Sequence, residues 1–504
     1  MDSITVAKSS GVDINFLSTT RSYDKICVCL CKENDRISKI NSKIPGPKGL
    51  PIVGNILNVR GKRHLKYQQY FREHGPVFRI KAGVVERVVL TGYPILKEAF
   101  VDHADIFKSR FVKKKMFLAN LYSLNNFSGI ISANGDYHKN LKSVILSELT
   151  ATKIKKMEVH INEESKRLCE LLEKRANEGK EFVMNKYFNL FSINIILRFL
   201  FGINVPYDDL NESSVEVIEV IQRFFKLSSA PLLSDYLGVP HPFPERPPEF
   251  FKCYRKLAKH ITEMIENYKT NRDGAGDEEH GPIIEKLLIE LEKGNISKLG
   301  LLAICVELLI AGADTVGQTL MFSTIAMINN QSIQEKLYQT LNAAIPPNED
   351  YSYSKYKLTI PYLSLVVKET FRKYPAGVLG LPHMTTEDVV IGGHTIAKGT
   401  QIIQNLYASH RSEEFWNQPD DFIPERFLEK DVTALHQFAV GPRNCLGSAL
   451  AECEVTSAIA TLIRNFNFIN PNPTQPLNDE GDFSVSMVAP QTKLLVKKRY
   501  NLAF

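Results

Sequence analysis

From Leu299 to Asn329 the chain reads LGLLAICVELLIAGADTVGQTLMFSTIAMIN, the most apolar long stretch in the sequence. A run of this length and character folds as a helix that either crosses a bilayer or passes through the middle of a large protein. Glu307 and Asp314 break it, and Gly312 and Gly317 add small residues. These four favour the buried core helix. The rest of the chain is large enough to surround it. It has 504 residues, 44 % hydrophobic and 23 % charged, close to a soluble globular average and able to bury a core around an internal pocket.

Around that helix the pattern is mainly helical, with a small, partly separate sheet. Residues 1–43 are polar, with one short apolar run, ICVCL, far short of the ~20 residues that span a bilayer. They read as a flexible N-terminal segment, and residues 44–504 as a single domain. IPGPKGLPIVGN, starting at Ile44, alternates Pro45, Pro47 and Pro51 with Gly46, Gly49 and Gly54, a stiff, non-helical opening to the folded body. VFRIKAG (Val77–Gly83) and ERVVLTG (Glu86–Gly92) read as a hairpin. Thr152 to Asn271 is mostly helical, for example Ile154–Arg175. VPHPFPERPPEF interrupts it with five prolines, and RDGAGDEEHG follows as an exposed loop. Further helices are expected at Ile333–Ala344 and Tyr362–Lys373, and short strands around Val389–Ile396 and Gln401–Asn405.

A net charge of +6 with no dense Lys/Arg stripe argues against a dedicated nucleic-acid binder. A mildly basic surface suits an acidic protein partner. Of eight cysteines only Cys27, Cys29 and Cys31 cluster, with single-residue gaps and no histidine nearby, which is poor zinc spacing. They read as unpaired thiols of the tail, with acylation or metal binding as alternatives. With no secretory signal ahead of them, a reducing compartment is expected.

Cys445 stands apart. In FAVGPRNCLGSALAECE, Gly441-Pro442-Arg443 forms a turn that lets backbone approach a large flat group, and a helix begins just after the cysteine. A helix N-terminus stabilises a thiolate through its dipole and free N–H groups, and Arg443 brings a cation within two residues. Such surroundings suit a redox thiol, a nucleophile or a metal-bound thiolate.

Phe438, Gly441, Arg443, Cys445 and Gly447 match F-x-x-G-x-R-x-C-x-G, and the stretch resembles the haem-binding signature of the cytochrome P-450 (haem-thiolate) monooxygenases. Three further motifs follow the family's order: Ala311-Gly312-Ala313-Asp314-Thr315, Glu369-Thr370-Phe371-Arg372 and Pro424-Glu425-Arg426-Phe427. The proline-rich opening looks like the hinge of the microsomal type. The resemblance covers roughly residues 44 to 495. It implies the mainly α fold of that family with a small β subdomain, and haem b buried between a long distal helix and the cysteine loop.

The resemblance makes Cys445 the axial ligand of haem iron, whose thiolate pushes electron density toward O–O cleavage. Phe438 packs beside the sulfur, Gly441 and Gly447 permit close approach, and Arg443 and His383 serve the haem propionates. After Gly135 the family usually places a tryptophan and, four later, an arginine. Here His138 and Lys142 stand at those places, and lysine lacks the bidentate fork. On the distal helix the Thr315 hydroxyl bonds the carbonyl four residues back, Gly312 eases the opening, and Asp314 and Thr315 relay protons. Val316 replaces a frequent second hydroxyl. Glu369, Arg372 and Arg426 form a buried structural network. A second PER, Pro244-Glu245-Arg246, is loop chemistry only.

The implied reaction inserts one atom of O2 into a hydrophobic small molecule, using NADPH-derived electrons from a separate flavoprotein reductase. Alternatives within the same resemblance are a reductase-independent haem-thiolate isomerase or lyase, and a non-catalytic haem protein. Substrate contacts are expected in Arg110–Ser132, Asn204–Tyr236, Ile304–Ala311, Val378–Leu381 and Val485–Val488, mostly apolar. Peripheral membrane contact at the cytosolic face of the endoplasmic reticulum is expected, with a soluble cytoplasmic enzyme as the alternative.

Overall fold

The computed structural model describes residues 33–51, 53–59, 61–83, 85–110, 129–205, 212–229, 248–271, 281–428 and 432–499. Cys27, Cys29 and Cys31, the second PER, most of the acidic loop and parts of the first two expected substrate segments lie outside the described residues.

The longer helices are α1 (Arg63–His74), α2 (Gly135–Ser147), α3 (Ala151–Glu178), α4 (Asn185–Phe201), α5 (Glu212–Ser229) and α6 (Pro248–Asn271). After them come α7 (Ile283–Glu292), α8 (Lys298–Asn329), α9 (Gln331–Ala344), α10 (Pro361–Lys373) and α11 (Ser448–Asn465). Local sequence explains their limits. The Ser297 hydroxyl accepts from Gly300 N at 3.0 Å and starts α8. Gly179 and Gly202, both left-handed, end α3 and α4. In α3 the buried Ile154, Ile161, Leu168 and Leu172 recur at helical spacing and face the core.

The apolar run of the sequence is α8, and it lies along α4 through the centre of the helical body. Its glycines set how closely the two helices approach. A Cβ on Gly312 would fall 2.7 Å from Ile196 Cγ1, and one on Gly317 2.4 Å from Asn189 Oδ1. Among the described residues α8 is the one helix long and apolar enough to cross a membrane, and most of it is buried inside the protein.

The sheet stands beside this body. β1 (Val77–Ala82) and β2 (Val85–Leu90) form the expected hairpin, with Gly83 at φ 59° in the turn. The other strands are β3 (Ser109–Arg110), β4 (Phe182–Val183), β5 (His383–Met384), β6 (Val389–Ile391), β7 (His394–Ile396) and β8 (Gln401–Gln404), followed by β9 (Phe466–Ile469), β10 (Asp482–Phe483), β11 (Met487–Val488) and β12 (Lys493–Lys498). The main sheet runs β1-β2-β8-β5-β3, with β8 parallel to β2. β4, β12 and β9 form a second sheet, while β6–β7 and β10–β11 are hairpins.

The folded body begins earlier than residue 44. Residues 33–41 are helical, and Ile37 is buried. Asn41 is fully buried, donating to Thr400 Oγ1 at 2.8 Å and accepting from Ala397 N at 3.0 Å. Arg36 reaches Asp388 at 3.1 Å. The polar composition of this stretch reflects partners supplied by the distant β7–β8 turn and by Asp388 just before β6, and composition alone could not separate that from a free tail.

Candidate active site

The loop from Phe438 to Gly447 is held at both ends. Cys445 N donates to Phe438 O at 2.9 Å, and the Phe438 ring meets Phe371 edge-on with centroids 5.4 Å apart. Gln404, fully buried at the end of β8, grips Val440 from both sides: its Oε1 accepts from Val440 N at 3.0 Å and its Nε2 donates to Val440 O at 3.1 Å. Gly441 sits at φ 92°, and a Cβ there would lie 2.4 Å from Phe100 O. Packing of protein on protein therefore requires glycine here. Gly447 is the reverse: a Cβ there would meet no atom within 4 Å.

The Cys445 side chain is reached by solvent although protein atoms surround it densely. Burial pushes its thiol above the ordinary range, and a backbone hydrogen bond from Gly447 opposes this only in part. The stabilised thiolate expected from a helix N-terminus is not what the protein alone provides. Gly447 caps α11 two residues beyond the cysteine, and the Arg443 guanidinium turns away from the sulfur. A protonated, enclosed thiol is a poor nucleophile but becomes a thiolate on binding a metal ion.

Beside this loop four basic side chains converge. Arg443 Nε donates to Lys108 O at 2.9 Å, and its NH2 reaches Ala133 O at 2.5 Å and Asn134 Oδ1 at 3.0 Å. Arg110 NH1 donates to Leu381 O at 2.8 Å, and Lys142 Nζ to Pro442 O at 2.6 Å. His138 lies one helical turn before Lys142 on α2. Burial pulls Arg110 down to about 9, with Arg443 adding repulsion, and burial pulls Arg443 down to about 10. Burial, then Arg443, Lys142 and Arg110, lower His138 to about 4, and Lys142 is lowered by burial and Arg443. No carboxylate among the described residues offsets any of them. A guanidinium keeps its proton at physiological pH, so these shifts record positive charge held without its anion.

His383 departs from its expected role. Arg110 NH1 lies 2.9 Å from its Nε2 and can only donate, so Nε2 accepts. The Nδ1–H then donates to Phe107 O at 2.7 Å. Both ring nitrogens are used within the protein, and burial followed by Arg110 pulls the ring down to about 3. His383 orients Arg110 and has no hydrogen left for a carboxylate.

Along α8, Leu308, Ala311, Gly312 and Thr315 remain accessible while the helix around them is mostly buried. The spacing of Leu308, Ala311 and Thr315 places them on one stripe, whereas the side-chain direction of Gly312 points at Ile196 of α4. The Thr315 hydroxyl donates to Ala311 O at 3.0 Å, the expected bond four residues back. Gly312 O is engaged by Ser192 Oγ at 2.5 Å. Asp314 turns to another face, where Ser486 Oγ donates to its Oδ2 and Gln318 Nε2 donates to its Oδ1 at 3.1 Å. Burial raises its carboxyl, and these two bonds oppose the rise.

Glu369 and Arg372 are fully buried and paired twice, at 2.7 and 2.9 Å. Arg426 Nε joins Glu369 at 3.1 Å. The remaining Arg372 hydrogens go to the carbonyls of His410, Pro419 and Asp421. The network ties α10 to the chain leading into the cysteine loop.

The chain matches the family model described as Cytochrome P450 over residues 44–496. It is a cytochrome P450. Probable cytochrome P450 513C1 of Dictyostelium discoideum is 54 % identical across 93 % of this chain and 96 % of the relative. Probable cytochrome P450 513A3 and 514A2 of the same organism are 41 % and 30 % identical, each across 92 % of the chain and 96 % and 95 % of the relative. As a P450 the chain is a haem-dependent monooxygenase, an iron-binding oxidoreductase. The donor set fits that group. An enclosed lone thiol, basic side chains lacking an anion, open space beside Gly447 and an accessible stripe on the central helix are what a planar dianionic macrocycle requires.

Sequence reading named Arg110 only as the edge of a substrate segment and did not name Gln404 or Ser486 as partners. A single arginine after Ser109 carries no local signal, because its role depends on His383 and Arg443, far off in the chain.

Proposed function

We propose that this cytochrome P450 inserts one oxygen atom from O2 into a hydrophobic small molecule, with electrons passed from NADPH by a separate flavoprotein reductase. The observation that carries this is the accessible stripe of Leu308, Ala311 and Thr315 on a buried apolar helix. A substrate resting there meets mainly carbon, with one hydroxyl for orientation. When bound, haem supplies the oxygen-activating iron. Cys445 would ligate that iron through its sulfur, with Phe438 and Gly447 beside it. Arg443, Arg110, Lys142 and His138 would hold its propionates. Thr315 and Asp314 move protons, and Glu369, Arg372 and Arg426 keep the cysteine loop in place.

The recess of about 510 Å³ lined by Tyr93, His436, Phe438, Val440 and Glu452 lies on the loop that carries Cys445. It offers a reductase a short path to the sulfur. The work is placed at the cytosolic face of the endoplasmic reticulum, by peripheral contact, where a lipophilic substrate and a reductase meet. The folded unit is one domain that includes the 33–41 helix.

The deciding experiment measures NADPH consumption and product with and without an added flavoprotein reductase, on hydrophobic compounds first selected by haem spin-state shift. Product that requires reductase, NADPH and O2 supports the reading. Turnover of an organic peroxide with no need of reductase would replace it by an isomerase, and a protein that shifts spin state but never turns over would be a binding protein.

A further inference from the structure

The Asp314 carboxyl has an unusual set of neighbours. It is buried on α8, and each oxygen has one neutral partner: Ser486 Oγ on Oδ2 and Gln318 Nε2 on Oδ1. Gln318 Oε1 accepts from Ala489 N at 2.8 Å, so the amide and the serine belong to one joint between α8 and the 484–489 segment. Met487 N donates to Ala376 O at 2.8 Å and ties the same segment to the chain just after α10. The groups bonded to or packed on this part of α8 are neutral: Asn189 and Ser192 from α4, and Ser486 from the joint. Further along α8, Tyr374 stacks on Phe322 and is bonded to Asp479. No charged side chain of the described residues contributes to the electrostatics of Asp314.

We propose that Ser486 is the positioning residue that lets Asp314 gain and lose a proton without an ion pair, deepening the relay reading above, on which it rests. The protonated Asp314 carboxyl turns from Ser486 toward the groove beside Thr315, where its O–H bond breaks and an O–H bond forms on a water. A proton from solvent water later restores the acid. Ser486 keeps its own proton throughout. Its hydroxyl can donate to the carboxylate or accept from the acid, so it satisfies both states. A lysine or arginine could serve only the charged state, and would have to be pulled from its partner at each turnover. Gln318 holds the other oxygen and fixes which one exchanges.

The test compares Ser486→Thr with Ser486→Val, near-isosteric side chains that differ in the hydroxyl, in the haem-loaded enzyme. The carboxyl C=O band of Asp314 is identified in the infrared as the band lost in Asp314→Asn. In Ser486→Val that band shifts, its titration moves to higher pH, and the ratio of product to peroxide falls on the order of tenfold. Ser486→Thr keeps the parent values. An unchanged band, titration and product ratio in Ser486→Val, with impaired Asp314→Asn, would overturn the inference and leave the relay standing. Full coupling in Asp314→Asn would overturn the relay and this inference with it.

Discussion

Replacing Glu369 by glutamine removes one charge and changes almost no volume. The carboxylate takes four donors: Arg372 Nε and NH2 at 2.7 and 2.9 Å, Ile423 N at 2.8 Å and Arg426 Nε at 3.1 Å. In Glu369→Gln, Arg372 stays fully buried with no counter-charge, and the amide NH2 must face at least one N–H it cannot accept from. Breaking one side of a buried pair costs about 3–5 kcal/mol, and the second arginine places this case at the upper end. Unfolding entropy amounts to roughly 1 kcal/mol per degree for a chain of 504 residues, so the cost corresponds to a fall of about 3–5 °C if the chain unfolds as one unit. The assay is thermal unfolding of the haem-loaded protein by circular dichroism, with haem absorbance followed in parallel. Because Arg372 also binds the carbonyls of His410, Pro419 and Asp421, the haem signal should be lost before the helices. A midpoint within 1 °C of the parent (~1 kcal/mol) would show that the carbonyls alone neutralise Arg372.

Cys445→His should abolish the strongly red-shifted Soret band of the reduced carbon monoxide complex, and a parental band would remove Cys445 as ligand. Thr315→Ala should keep haem and substrate binding but divert electrons to peroxide, with product formation down by about 10²–10⁴-fold, measured as product per NADPH. Gly441→Ala should lower the fraction of thiolate-ligated haem, because the residue sits at φ 92° and its Cβ would lie 2.4 Å from Phe100 O, a strain of about 1–3 kcal/mol. Full loading of that variant in the carbon monoxide difference spectrum would contradict the packing seen there.

What was legible in the sequence was local. The α8 run, the β1–β2 hairpin and the start of α11 each follow from neighbouring residues, and the structure bounds them within a few positions of the expectation. The bond from Thr315 to Ala311 follows from helix geometry alone. Contacts between distant segments escaped. β3 and β5 are two residues each and exist because Arg110 and His383 meet across the chain, so neither has a strand-like pattern of its own. His383 was read as a donor because histidine can be one, and only the combination of Arg110 and Phe107 shows that its ring is fully used. Asp314 was grouped with Thr315 as a sequence neighbour, yet one step along a helix turns a side chain by about 100°, enough to aim it at Ser486.

The two arginine groups of this molecule, built from the same residue type, show how physics separates scaffold from site. Around Glu369, Arg372 and Arg426 share a carboxylate, and carbonyls take the remaining hydrogens. That group is complete without any ligand, so its worth is in holding the fold. Around Arg443, the arginines find only carbonyls, an amide and a neutral histidine, and every resolved shift points to charge held at a cost. A fold selected for stability alone would place a carboxylate there or remove the charge. Keeping positive charge uncompensated beside a thiol that burial holds protonated makes sense only if both deficits are met by one incoming group, metal for the sulfur and anion for the cations. The same deficits explain why the loop is clamped so firmly by Gln404 and Phe438. Side chains that would relax toward water must be held where the group will bind, so part of the binding energy is spent in advance as rigidity rather than on ordering the loop when haem arrives.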